Sequence, residues 1–320
     1  MVVRVTIQNP QPLSIRSGGA FCFAGRQLST VLENADGTPC YNDFMLGVSA
    51  AKPRFLSAVL AAPAVRPPLK WAGGKRWLVP HLLSLWRAQS HRRLVEPFCG
   101  GLAISLGLSP ADALLNDINP HLINFYDWLQ RGLRVTLPLD NSRRSFEANR
   151  ERFNRLIADD QIDSQEAAVL FYYLNRTGFN GLCRFNSSGQ FNVPFGHHPN
   201  INYTRDFSAY RKSFSDWTFS SQDFESLAVD DEDFIYADPP YDVEFTQYSK
   251  EAFTWEDQVR LAEWLADHPG PVVLSNQATP RIVRLYKSLG FKLRYYQAPR
   301  RISCNGDRTA AREVLATKNL

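Results

Sequence analysis

No two cysteines in this sequence are spaced to work together. The five of them, Cys22, Cys40, Cys99, Cys183 and Cys304, are odd in number and at least eighteen residues apart. Without a C-x-x-C pair neither a zinc cage nor a disulfide framework is supported, and the six scattered histidines add no ligand cluster. The pattern fits a reduced, metal-free cytoplasmic chain. Long apolar runs are missing too, since nothing approaches the ~18 residues of a membrane span. The longest candidate, Phe55 to Val65, is interrupted by Ser57 and Pro63. With Lys52 and Arg54 ahead and Ala62-Pro63-Ala64 at its end it has the outline of a signal-peptide core, but the downstream sequence reads as intracellular chemistry. Internal repeats and low-complexity tracts are also absent.

Net charge is scarce as well: +4 over 320 residues, with 44% hydrophobic and 21% charged residues, an ordinary globular balance. The small total hides a partition. Residues 281–320 carry ten Lys/Arg against two acids, whereas residues 223–257 carry twelve acids against Lys250 alone. Such asymmetry predicts a basic surface for an anionic partner and an acidic region with separate work.

Residues 1–66 have no sustained periodicity and are broken by Pro10, Pro12, Gly18-Gly19, Gly37, Pro39 and Pro53. They read as a poorly ordered appendage ending in the linker Arg66-Pro67-Pro68. Beyond it, Leu94 to Phe98, a glycine turn, Leu102 to Leu108, a second apolar run Ala113 to Asp117 and a helix from Pro120 make a βαβ start. Residues 131–214 differ: two helices, around Phe146 to Ile157 and Ala167 to Leu174, precede a hairpin signal in which Leu182–Phe185 and Gln190–Val193 flank Asn186-Ser187-Ser188-Gly189. The alternation then resumes with strands at Trp217–Ser220, Phe234–Ala237 and Val272–Ser275, a helix at Trp255–Leu265 and a closing antiparallel pair, Phe291–Tyr296 with Glu313–Thr317. This predicts an α/β, Rossmann-like sheet, mostly parallel with a terminal antiparallel strand, built from residues 67–130 and 215–320. Residues 131–214 form a small helical insert with a hairpin. Ligands of such sheets bind at the carboxyl ends of the strands.

Three constellations carry chemistry. Glu96-Pro97-Phe98-Cys99-Gly100-Gly101 follows a strand, and Asp117 ends the next, so a backbone cradle lies beside an acid able to take ribose hydroxyls. The dinucleotide pattern G-x-G-x-x-G is not met. Lys70-Trp71-Ala72-Gly73-Gly74-Lys75 is no Walker loop, because Arg76 follows Lys75; it suits a small zwitterion with Lys75 near its carboxylate. Asp238-Pro239-Pro240-Tyr241 stiffens a turn that exposes a carboxylate and carbonyls as acceptors for an exocyclic amine, with Tyr241 able to stack on its ring.

Seven segments in order, LKWAGGK (69–75), VEPFCGG (95–101), LLNDINPHLINFY (114–126), LNRTGFNGLCRFNSSGQFNVPFG (174–196), DPPY (238–241), VLSN (273–276) and RRISCNG (300–306), resemble the DNA adenine methylase (Dam) family of N6-adenine methyltransferases. The resemblance implies S-adenosyl-L-methionine as cofactor, with Trp71, Lys75, Asp117 and Asp238 lining its pocket, Glu96, Phe98 and Gly100 at the floor, and Asp223-Phe224 against its adenine. It implies catalysis by Asp238, Pro239, Pro240 and Tyr241, and a double-stranded DNA partner read by the insert. There Arg184 is set to contact a guanine, Phe179 to fill the space of a flipped base, and Asn180, Leu182, Asn186 and Pro194 match further contact positions. Arg143, Arg144, Arg176, Arg300 and Arg301 are candidates for phosphate. The family pattern often has glycine where Leu102 stands. A GATC target, a monomeric state and a reduced cytoplasmic setting without metal or membrane complete the expectation. Rival readings are methyl transfer to cytosine N4, RNA or protein glutamine, and a DNA-binding paralogue that no longer catalyses.

Overall fold

The computed structural model describes residues 65–242, 253–298 and 311–320, together with the backbone of two short strands, β1 (Leu32–Glu33) and β2 (Pro39–Cys40). The rest of the proposed appendage, and the proposed phosphate contacts Arg300 and Arg301, lie outside the described residues. The chain falls into two compact units, 1–61 and 62–320. In the first, β1 and β2 pair antiparallel. Everything that follows belongs to the second.

Its centre is a seven-stranded sheet of β3 (Leu94–Glu96), β4 (Ala113–Asn116), β5 (Trp217–Ser220), β6 (Phe234–Ala237), β7 (Val272–Gln277), β8 (Lys292–Ala298) and β9 (Ala311–Lys318). The spatial order is β5-β4-β3-β6-β7-β9-β8; β3 to β7 run parallel, and β9 lies antiparallel between β7 and β8. This is an α/β, Rossmann-like sheet. Every residue of β3, β4 and β6 is buried, as strands covered on both faces require.

Alternation along the strands sends successive side chains into two cores. Leu94, Leu115, Tyr236, Val273 and Leu315 face a layer with α1 (Val79–Arg87) and α3 (Pro120–Gln130). That core continues into α4 (Arg143–Ala158), α5 (Gln165–Thr177) and α6 (Ser208–Ser213) of the insert. Val95, Leu114, Ile235, Leu274 and Val314 face α7 (Trp255–Asp267) and α8 (Pro280–Ser288). Asn119 starts α3 by accepting from the amides of His121 and Leu122, and a reciprocal Thr254/Asp257 capping box starts α7.

Two local expectations change. The helix placed at Leu102–Leu108 shrinks to α2 (Ser105–Leu108), because Leu102 takes φ 57° in the left-handed region. A leucine there costs about 1 kcal/mol, offset by complete burial of its side chain. The hairpin turn forms, but its arms share a single bridge, Phe185 to Phe191, rather than a strand ladder. Asn154 of α4 takes both main-chain groups of Phe191, at 2.8 and 3.2 Å, and the Asn186 side chain takes the amides of Ser188 and Gln190. The arms are joined by the Asn186 amide on the Gln190 carbonyl at 2.9 Å and the Asn192 amide on the Arg184 carbonyl at 3.1 Å.

The chain leaves β3 toward β4 on one side, whereas β6 leads to β7 on the other. The crevice outside the carboxyl ends of β3 and β6 is therefore the switch point where ligands of such sheets bind.

Candidate active site

Both walls of that crevice come from the sequence motifs. After β3, Gly100 and Gly101 pass directly under Trp71: a Cβ on Gly100 would lie 2.7 Å from the indole nitrogen, and one on Gly101 2.6 Å from the Trp71 Cβ. Only glycine lets these segments meet. Asp117, just past β4, accepts from the amides of Gly100 (3.1 Å) and Asn119 (3.0 Å). Burial lifts its carboxyl to about 6 despite those two bonds. Ile118 beside it is 71% exposed, a bare apolar surface next to the carboxyl. Glu96 is buried with Oε1 lacking a hydrogen-bond partner among the described residues, and desolvation pushes its carboxyl up to about 8. Phe98 and Phe224 stand 5.8 Å apart, with Phe253 against both. The Asp223 carboxylate is held by Arg260 at 2.9 Å, and the same guanidinium lies over the Phe224 ring.

At the end of β6, Asp238 meets Lys75 at 3.1 Å and accepts from the Ser275 hydroxyl at 2.8 Å. Lys75 also lies 3.8 Å from Glu313 and 4.4 Å from the centre of the Tyr241 ring. The sequence suggested that Lys75 would serve a ligand's carboxylate; the carboxylates beside it are the protein's own. Burial raises the Asp238 carboxyl above its ordinary range, with Lys75 and Ser275 opposing. Tyr241 is half-buried, one ring face lies under the ammonium, and burial together with Asp238 and Glu313 keeps its hydroxyl protonated. Gln258 of α7 grips the Pro240 carbonyl at 2.7 Å and is itself held by Asn276 at 2.9 Å. So the Asp-Pro-Pro-Tyr turn is braced from β7 and α7.

Sequence reasoning missed Glu313, Gln258 and the bracing roles of Ser275 and Asn276. The segment VLSN was visible, but its partners come from distant positions. A lone acid opening the apolar run Val314-Leu315-Ala316 was the available signal for Glu313.

The exposed surface of the insert is built differently. Phe179 is 45% exposed, and its amide donates to the carbonyl of exposed Pro194 at 2.9 Å. Asn180 is held at φ 53°. Arg184 and Asn186 are exposed, and the Arg184 Nε donates to Asn192 Oδ1 at 2.8 Å; Leu182 is half-buried. Arg143 and Arg144 open α4, the former bound to Glu147 and His197. Arg176 differs: it donates to the Asn202 carbonyl, and its Nε is buried without a partner among the described residues. Lys70, which the sequence reading passed over, is tied to α5 by paired bonds of 2.8 and 2.9 Å with Asn175, and its ammonium reaches the Arg176 carbonyl.

Set against known proteins, residues 71–302 match the family model for D12 class N6 adenine-specific DNA methyltransferase. The chain belongs to that family. It is an adenine-specific DNA methyltransferase, and S-adenosyl-L-methionine is the cofactor of the class. It is 34% identical over 274 residues to the DNA N-6-adenine-methyltransferase of Escherichia phage P1, covering 80% of this chain and 36% of that protein. It is 35% identical over 263 residues to the retron Ec67 DNA adenine methylase of Escherichia coli, covering 78% and 90%. With the DNA adenine methylase of Escherichia coli strain K12 it shares 34% identity over 268 residues, covering 78% and 93%. The chain thus spans about a third of the phage protein and nearly all of the other two.

The residues present fit that cofactor. Glu96 Oε1, without a partner among the described residues, would be open to its ammonium and Asp117 to its ribose hydroxyls, and Ile118 with the Phe98/Phe224 pair would offer apolar surface to its adenine. No helix among the described residues is long and apolar enough to cross a membrane.

Proposed function

We propose that the chain methylates N6 of an adenine flipped out of double-stranded DNA, within GATC, as a cytoplasmic monomer that takes the methyl group from S-adenosyl-L-methionine. The observation that carries this reading is the Asp238 carboxylate fixed at the switch point by Lys75 and Ser275, next to a turn whose Pro240 carbonyl is already used by Gln258. The Pro239 carbonyl and Asp238 then remain to accept the two N6 hydrogens. Holding both hydrogens favours a pyramidal nitrogen with its lone pair free, and positioning supplies the rate without a covalent enzyme intermediate. Bound cofactor supplies an electrophilic methyl group. Trp71, Glu96, Phe98, Gly100, Asp117, Asp223 and Phe224 hold it.

Because the amine is shielded within a duplex, the base must leave the stack. Tyr241 offers it the ring face that Lys75 does not cover, and exposed Phe179 fills the gap in the helix. Arg184 reads guanine by exchanging its bonds to Asn192 for the O6/N7 edge. Asn180, Leu182, Asn186 and Pro194 flank it, and Arg143, Arg144, Arg176, Arg300 and Arg301 face phosphate. The test is expression in cells without DNA methylation, followed by genome-wide mapping of N6-methyladenine. Methylation confined to GATC is expected; modified cytosine, or adenine methylated in other contexts, overturns the proposed specificity.

A further inference from the structure

Through one side chain, α7 takes hold of the loop that follows β5. The reciprocal bonds of Thr254 and Asp257 fix the start of the helix, and Arg260 leaves its next turn. Its guanidinium forks onto both oxygens of Asp223, at 2.9 and 3.3 Å, and reaches Glu225 at 2.8 Å and Asp257 at 3.1 Å. The same group lies over the Phe224 ring, 4.6 Å from its centre. Three consecutive residues, Asp223, Phe224 and Glu225, are thus clasped at once. Arginine suits this work because its plane carries several donors in a fixed fork and a flat face for the ring, whereas a lysine ammonium is a point charge.

The clasp adds little to stability. The Arg260 side chain is 39% exposed and that of Asp223 43%, and ion pairs so open to water are weak contributors. What it fixes is position. The near end of the loop is tied to β4, where Asn116 accepts from the Gln222 amide at 3.1 Å and donates to the Gln222 carbonyl at 3.0 Å. Arg260 ties the far end, with Phe224 5.8 Å from Phe98 beside the switch point. On Asp223, Oδ1 also takes the Glu225 amide at 3.0 Å, whereas Oδ2 has Arg260 as its one donor among the described residues. A carboxylate oxygen accepts two hydrogen bonds, so Oδ2 has one place left.

We propose that Arg260 is a positioning residue for the cofactor: it sets the Asp223 carboxylate and the Phe224 ring in the arrangement that receives the adenine, with Asp223 Oδ2 left to accept from the exocyclic amine. The proposal rests on the reading of Asp223-Phe224 as the adenine contact. A carboxylate can only accept, and the amine is the donor that an adenine base offers it. Because Arg260 orders Asp223 in advance, its side-chain freedom is not surrendered when cofactor binds.

The test is Arg260→Gln, which keeps a helix-forming residue and removes the charged fork. Calorimetry compares S-adenosyl-L-homocysteine with S-inosyl-L-homocysteine, in which an oxo group replaces the amine. The unaltered protein is expected to prefer the adenosyl compound by about a hundredfold, and Arg260→Gln to narrow that preference about tenfold by weakening the adenosyl compound alone. KM for S-adenosyl-L-methionine is expected to rise by a similar factor, with kcat at saturating cofactor unchanged. Arg260→Lys is expected to fall between the two, and serves if the glutamine variant does not fold. Asp223→Asn, which can present an amide nitrogen to the oxo group, is expected to lose the preference altogether. If Asp223→Asn loses it and Arg260→Gln does not, the role of Arg260 is overturned and the adenine contact stands. A preference unmoved by Asp223→Asn overturns the contact and the proposal with it. Equal weakening of both compounds in Arg260→Gln, or a lowered kcat, assigns Arg260 to general support of the fold and overturns the proposal.

Discussion

The switch-point crevice and the hairpin that follows α5 are held by opposite means. In the crevice Lys75 and Glu313 are buried, Asp238 is half-buried, and the three are fixed by one another, by Ser275 and by the Gln258–Asn276 brace. Along the hairpin, Arg184, Asn186 and Gln190 lie exposed and are satisfied by neighbours a few residues away. Chemistry needs charges whose positions are already determined before substrate arrives, because reorganising them in the transition state adds to the barrier. Sequence reading needs side chains that can surrender weak local bonds for the edges of bases. A buried network cannot do that.

The contrast is broken most severely at Asp238. Asp238→Ala is expected to lower methyl transfer by about three orders of magnitude, with DNA affinity in a gel-shift assay nearly unchanged. Comparable loss of DNA binding would merge the two regions into one function. At the hairpin, Arg184→Ala is expected to relax discrimination at one guanine by about 1–3 kcal/mol in competition between substituted duplexes, while the rate on saturating cognate DNA changes little.

Two smaller effects sharpen the comparison. Glu96, lifted to about 8 by burial, binds its proton more tightly folded than unfolded, so its contribution to stability is complete below the unfolded value and fades as pH rises toward 8. The cofactor-free protein is therefore expected to melt at progressively lower temperature from pH 5 to 8, and Glu96→Gln to flatten that slope. Cofactor binding near pH 7 is expected to release up to about one proton, seen as a buffer-dependent heat in calorimetry. At the turn, Gly189 has φ 72° with open space around it, so Gly189→Ala is expected to cost about 1 kcal/mol through backbone strain alone and to leave catalysis untouched. A catalytic defect there would tie the hairpin's backbone to the chemistry.

Legibility in the sequence followed the same division. The central strands announced themselves as apolar runs between turns, and Trp217–Ser220 and Phe234–Ala237 fall at the bounds the residues suggested. The short helices α1, α6 and α8 went unread, since six to nine residues make no more than about two and a half turns in which to show a period. In the site, Lys75 and Asp238 were both picked out as candidates, but not as partners: a salt bridge between distant positions leaves no local pattern. Glu313 was invisible for the same reason. The hairpin was legible from its turn residues, but its anchor was not: Asn154, far back in the chain, takes the main-chain groups of Phe191.

The proposed chemistry requires Asp238, held by Lys75, to direct methylation to adenine N6. The most direct test gives the purified protein deuteromethyl-labelled S-adenosyl-L-methionine and a GATC duplex, then separates the nucleosides by mass spectrometry, with Asp238→Ala alongside. Labelled N6-methyldeoxyadenosine is expected from the unaltered protein and none from the variant, with cofactor still bound by both. Label on cytosine, or a variant that still methylates adenine, would contradict it.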